Sequence, residues 1–167
     1  MDDLGRMRGR PGEHLNLFAG QFFFGREPST VRTLLGSCVA VVLWHPQRRL
    51  GGMCHFLLPQ RQRPAGQARD ARYGDEALAM MVEALRQSGT DPRDYEAHLY
   101  GGADTMPDQT DLRLNIGERN IERGWSLIDH YGFTLQAIDV GDRVPRQVRL
   151  DLGTGEVEMR RCQGSTV

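Results

Sequence analysis

The chain has 167 residues, 39% of them apolar, with a net charge of −1. It is long enough for one domain with a sizeable core, and the charge gives no reason to expect nucleic acid or a membrane surface as partner. All 21 basic residues are arginine, which excludes a Walker-type phosphate lysine, a Schiff base and an amine nucleophile.

Residues 1–14 are polar and glycine-rich, contain no apolar h-region, and are expected to form a poorly ordered tail. No apolar run reaches the ~20 residues of a membrane-spanning helix. Three cysteines without a secretory signal point to free thiols and a cytoplasmic location. A single domain is expected over 15–162, followed by a short tail at 163–167.

Leu15 to Phe24, with the aromatics Phe18, Phe22, Phe23 and Phe24, predicts one or two short strands. Val31 to Leu43 and Leu50 to Leu58 read as a β-hairpin across the turn His45-Pro46-Gln47-Arg48. If Trp44 pairs with Arg49, Cys38 lies opposite His55 on one face. Gln60 to Arg72 lacks periodicity and reads as a mobile surface loop. Asp75 to Gln87 carries an apolar stripe, Leu78, Met81 and Leu85, with Gly89 beyond its end: a helix. Ala97 to Tyr100 is a short strand ending at Gly101-Gly102, and a loop follows to about Arg113. Asn115 and Glu118 have the spacing of a capping box and open a second helix through His130, with Ile121, Trp125 and Ile128 on one side. Three strands close the chain at Phe133–Val140, Gln147–Leu152 and Glu156–Arg161. The class is mixed α/β, with more strand than helix.

The stretch from Thr33 to Pro59 concentrates the chemistry. Cys38 stands where Gly36-Ser37 meets an apolar strand, and a partner imidazole can lower a thiol pKa below its free value of ~8.5. Backbone N–H groups around Gly36, Ser37 and Cys38 would supply an oxyanion hole if the bend points them inward. On position alone, a cysteine beginning a strand is more often a small core residue, and His55 a satisfied half-buried side chain. Cys38, Cys54, His55 and Cys162 could be grouped as soft metal ligands, but their spacing matches no zinc motif, and the adjacent Cys54 and His55 would alternate across a strand.

These segments together resemble the CheD family of chemoreceptor glutamine deamidases. LGSCVAVVLWHP and GGMCHFLLP carry the resemblance, and RYGDEALAMMVEAL, YGGA, NIGERNI, AIDVG and TGEVEM follow in the family's order, from about Leu15 to Met159. The resemblance implies Cys38 as nucleophile, His55 as general base, and a threonine shortly before the cysteine that orients the histidine. Thr33 is the nearest threonine, yet an odd offset in an uninterrupted strand would turn it away from Cys38; Gly36 is where that alternation could break. Cys54 stands where the family commonly has Asn, and the DVG segment lacks a second glycine often found there. The implied fold is a sandwich of two packed mixed β-sheets with helices outside, resembling cysteine hydrolases of deamidating toxins. The implied activity is conversion of receptor glutamines to glutamate through a thioester, with cleavage of glutamyl methyl esters as the same acyl transfer. No metal or organic cofactor is required. Expected partners are chemoreceptor cytoplasmic domains as substrate and a CheC-type phosphatase, for a monomeric chain without membrane insertion. The alternative is a non-catalytic adaptor that binds receptors or the phosphatase.

Overall fold

A computed structural model of the chain describes residues 3–104 and 115–162. The segments expected as a loop to Arg113 and as a tail at 163–167 fall wholly or largely outside the described residues. In chain order the elements are β1 His14–Leu17, β2 Phe22–Gly25, β3 Thr30–Leu35, β4 Val39–His45, β5 Leu50–Phe56, α1 Gly74–Gln87, β6 Glu96–Gly101, α2 Ile116–Tyr131, β7 Thr134–Val140, β8 Arg146–Asp151 and β9 Val157–Arg161. The strands form a five-stranded sheet, β2-β5-β4-β6-β7, and a four-stranded sheet, β1-β3-β8-β9. Both are mixed, because β6–β7 and β1–β3 pair in parallel while the other neighbours are antiparallel.

The side-chain period of two explains the layers. Val39, Val41 and Leu43 of β4 face α1 and α2 in one core, with Cys54, Phe56, Leu78 and Met81. Ala40, Val42 and Trp44 face the other way into a second core, with Leu17, Val31, Met53 and Val148. The five-stranded sheet is thus covered on one face by both helices and on the other by the second sheet. This is why all seven residues of β4 are buried, and why its sequence reads as an unbroken apolar run rather than an alternating one.

The hairpin expectation needs two corrections. Val31 to Leu43 is not one strand: β3 lies in the four-stranded sheet, β4 in the five-stranded one, and residues 36–38 carry the chain between them. The β4–β5 register also differs. His45 pairs with Leu50 and Ala40 with His55, so the connection is Pro46–Arg49, with Arg49 in the left-handed region at φ 51°. The difference is two residues, which preserves the face of every side chain.

The described part of the expected N-terminal tail is paired as well. Leu4 bridges Asp70, Arg6 bridges Phe22, and the Met7 amide donates to the Phe22 carbonyl. The edge strand β2 offers unpaired backbone groups that this segment satisfies. Gln60–Arg72 is likewise anchored: the Arg61 guanidinium makes a two-pronged contact with Glu76 at 2.9 and 3.0 Å, and Glu76 also accepts from the Asp70 amide.

Helix α2 is capped as the spacing predicts, with the Asn115 side chain accepting from the Glu118 amide and Gly132 left-handed at φ 81°. Of the expected stripe, Ile128 is buried and Ile121 packs against the same core, but Trp125 is 52% exposed; Gly117, Asn120, Gly124 and Leu127 complete the inward face. A Cβ on Gly124 would stand 2.6 Å from Leu99 Cδ1, so a larger residue there would require Leu99 to shift. Hydrophobicity misplaced Trp125, because part of the close contact with the sheet is made by small residues.

Candidate active site

Thr33, Cys38 and His55 reach one region from two sheets. Inward residues of β3 are Val31, Thr33 and Leu35, while Arg32 and Leu34 point to solvent. His55 belongs to β5, and because Cys54 and Phe56 face the helices, its ring faces the four-stranded sheet. A hydroxyl and an imidazole meet there: Thr33 Oγ1 lies 2.6 Å from His55 Nδ1 and 2.8 Å from the Leu17 carbonyl oxygen. Strand parity along the chain does not relate Thr33 to Cys38, since Thr33 lies in β3 before the 36–38 bend and Cys38 is the last residue of that bend.

The hydrogen-bond pattern fixes the imidazole tautomer. A carbonyl oxygen only accepts, so the single Thr33 hydroxyl proton goes to Leu17. The threonine oxygen must then accept from Nδ1–H, which leaves Nε2 with its lone pair. Backbone bonds hold the same residue, with the His55 carbonyl accepting from the Gly20 amide at 2.8 Å and its amide donating to Gln21.

Cys38 immediately precedes β4 and is half-buried against the sheet–sheet core. With Ala40 opposite His55, Cys38 is the diagonal neighbour of His55 on the same face, where Cβ atoms stand roughly 7–8 Å apart or somewhat less, within reach of an imidazole. The bend itself is pinned through its carbonyls. The Gly36 carbonyl accepts from the Ala103 amide at 3.0 Å and the Cys38 carbonyl from the Gly102 amide at 2.8 Å. Gly101, at φ 108°, makes room for this: a Cβ there would fall 2.3 Å from the Cys38 carbonyl oxygen. Gly101-Gly102 reads in the sequence as a strand end, and its larger use is to receive the cysteine bend.

Burial sets the charge state. Desolvation pushes the His55 imidazole down to about 4 and the Cys38 thiol up from its ordinary value. At neutral pH the pair is a neutral thiol and a neutral imidazole whose Nε2 is free to take a proton. The remaining cysteines lie elsewhere. Cys54 is fully buried on the helix side of β5, and Cys162 follows β9 in the other sheet, so the four soft side chains do not converge. Among the described residues no group of three His, Cys, Asp or Glu side chains could hold a metal ion, and no helix is long and apolar enough to cross a membrane.

Sequence reasoning missed Asn120. It is wholly buried on α2 and donates to the carbonyls of both Ser37, at 3.2 Å, and Leu57, at 2.9 Å. The signal lay in its position: a polar residue at helical spacing between two glycines, Gly117 and Gly124.

Known proteins resemble the chain over most of its length. The family model for CheD, chemotactic sensory transduction, matches residues 57–161. "Probable chemoreceptor glutamine deamidase CheD 3" of Dechloromonas aromatica is 37% identical over 95% of this chain and 95% of its own, a span that includes Thr33, Cys38 and His55. A Pseudomonas fluorescens protein with the corresponding CheD name is 43% identical, covering 86% of this chain and 82% of its own. Its Thermococcus kodakarensis counterpart is 32% identical over 89% and 92%. Among solved structures, the Bacillus licheniformis hypothetical protein YfiH aligns with a TM-score of 0.47 at 16% identity, covering 71% of this chain and 49% of its own, too partial a likeness to carry an argument. A match across most of the described fold, together with relatives alike over nearly the whole chain, places this protein in the CheD family.

Proposed function

We propose that the chain is a protein-glutamine deamidase of chemotaxis signalling that converts glutamines on chemoreceptor cytoplasmic helices to glutamate. Family membership supports the reaction class, since its relatives bear that name. The observation that carries the site assignment is the 2.6 Å contact between Thr33 and His55, which leaves Nε2 unprotonated on the face that holds Cys38.

The chemistry follows from that arrangement. Cys38 Sγ attacks the side-chain carboxamide carbon while its proton passes to His55 Nε2, so the nucleophile is generated as it reacts. The carbonyl electron pair moves onto oxygen, where the backbone N–H groups of Ser37 and Cys38 receive it. Collapse of the tetrahedral species expels ammonia, which takes the proton from the imidazolium, and leaves a thioester. Water attacks the thioester carbon, gives a proton to Nε2, and the departing thiolate recovers it, releasing glutamate. The same steps cleave a glutamyl methyl ester with methanol as leaving group. No step uses a metal or an organic cofactor.

Replacing the nucleophile tests the assignment. Cys38→Ala is expected to keep the melting temperature of the wild type within a few degrees and to reduce ammonia release from a receptor cytoplasmic fragment to background. Retained deamidation by the folded variant would falsify the mechanism.

A further inference from the structure

We infer that Asn120 is a positioning residue for the reaction: its side-chain amide sets the orientation of the Ser37–Cys38 peptide, and so of the N–H that receives the oxyanion. This rests on the deamidase reading and adds to it a residue of α2, far along the chain from the Cys38 bend.

A trans peptide is planar, with C=O and N–H pointing in opposite directions, so a fixed carbonyl fixes the N–H of the next residue. All three carbonyls of the bend are held: Gly36 by the Ala103 amide, Ser37 by Asn120 Nδ2, and Cys38 by the Gly102 amide. The Ser37 carbonyl belongs to the same peptide as the Cys38 N–H, and its partner among these is the side chain. The same Nδ2 donates to the Leu57 carbonyl, two residues beyond His55. One amide group therefore ties the nucleophile bend to the strand that carries the base. Both acceptors are carbonyl oxygens, which assigns the nitrogen end of the amide without ambiguity.

The helix is built to bring Asn120 this close. A Cβ on Gly117 would lie 2.5 Å from the Gly102 carbonyl oxygen, and one on Gly124 would strike Leu99. Only with both positions bare does α2 approach the backbone closely enough for a side chain as short as asparagine to reach two carbonyls. Its Oδ1 is buried without a hydrogen-bond partner among the described residues. Burying an unpaired carbonyl oxygen costs stability, on the order of 1–3 kcal/mol. A leucine or alanine would avoid that cost in a purely structural position, so a polar side chain here has its use in the donor end.

The test separates positioning from folding. Steady-state ammonia release from a receptor cytoplasmic fragment is measured for wild type, Asn120→Ala and Asn120→Asp, alongside the rate of Cys38 alkylation by iodoacetamide. Alkylation needs the thiol and forms no oxyanion, so it is blind to the Cys38 N–H. The expected result is a kcat lowered about 10- to 100-fold, below the full ~100- to 1,000-fold loss of a missing oxyanion donor, with KM and alkylation rate within about threefold of wild type. A folded Asn120 variant with unchanged kcat, or one whose alkylation falls in step with kcat, overturns the inference. If neither variant folds, hydrogen exchange of the Asn120 side-chain amide in the wild-type chain decides: strong protection supports the tether, and exchange at the free-amide rate overturns it. Absence of ammonia release from wild type would instead overturn the deamidase reading, an outcome distinct from a silent substitution in an active enzyme.

Discussion

Cys54 and His55 are neighbours in sequence and live in different solvents. Cys54 points from β5 into the helix-covered apolar core, where burial drives its thiol up to about 12. His55 points the other way, toward the four-stranded sheet, and meets a hydroxyl held by a carbonyl. The helix side of the sheet is a conventional core, filled by Leu78, Met81, Leu85 and Leu99. The sheet–sheet side is apolar at its centre and polar toward the 36–38 bend. The same strand therefore packs a core with one face and presents the proposed general base on the other, and the pleat decides which residue does which.

The pH dependence of stability gives the largest measure of that contrast. His55 is an ordinary imidazole when unfolded, near 6.5, and is pushed down to about 4 when folded. The folded state binds the proton less well, so its stabilising contribution is complete above pH 6.5 and is lost as pH falls toward 4. The full difference is about 3 kcal/mol. Urea unfolding of wild type and His55→Gln across pH 4 to 7 should show the wild type losing this much relative to the variant, whereas parallel curves would show that burial does not perturb the ring. The acid limb of kcat/KM is expected near pH 4 for the same reason.

Thr33→Val probes the orientation of the same ring at nearly constant volume. It removes the acceptor for Nδ1–H and the hydroxyl bond to the Leu17 carbonyl. We expect kcat to fall about 10- to 100-fold, equivalent to about 1.4–2.7 kcal/mol, with KM little changed. Thr33→Ser keeps the hydroxyl and should recover most of the loss. A valine variant with wild-type kcat would show that the ring is oriented by its backbone and packing alone.

How much of this was legible in sequence depended on how local the cause was. Helices α1 and α2, with the Asn115 cap and the Gly132 stop, follow from spacing and capping residues close together in the chain. The strands β5 to β9 follow from short segments set off by turn residues such as Gly132 and Gly153-Thr154-Gly155. The Cys38–His55 proximity was legible as a face, because a two-residue register error leaves parity intact, but the pairing itself was set by where Arg49 turns. The contact of Thr33 with His55 was illegible from alternation. Counting residues through Gly36 assumes one sheet, and the chain changes sheets there. Family resemblance named Thr33 where periodicity argued against it. Asn120 was hidden for a related reason: its two partners, Ser37 and Leu57, lie 83 and 63 residues away. Trp125 misled because a large apolar side chain attracts the core assignment, while close backbone approach is made by glycine.

The smallest predicted effect on activity belongs to Cys54, and it is the sharpest check on the two faces of β5. Cys54→Ala removes a buried sulfur from the helix-side core, which costs about 1–2 kcal/mol of stability through lost contacts and a small cavity. It touches neither Thr33 nor the 36–38 bend, so kcat and KM should remain within about twofold of wild type. Thiol labelling followed by mass spectrometry should separate the cysteines in the native chain. The half-buried Cys38 reacts with iodoacetamide under native conditions, while the fully buried Cys54 reacts only at the rate at which the domain opens. Denaturant should therefore accelerate labelling of Cys54 far more than that of Cys38. Were Cys54 to label as fast as Cys38 in the folded protein, the helix layer would not be sealed against the sheet. Loss of activity in a folded Cys54→Ala chain would show that the two faces are coupled through the strand, and that the catalytic side depends on how tightly the structural side is packed.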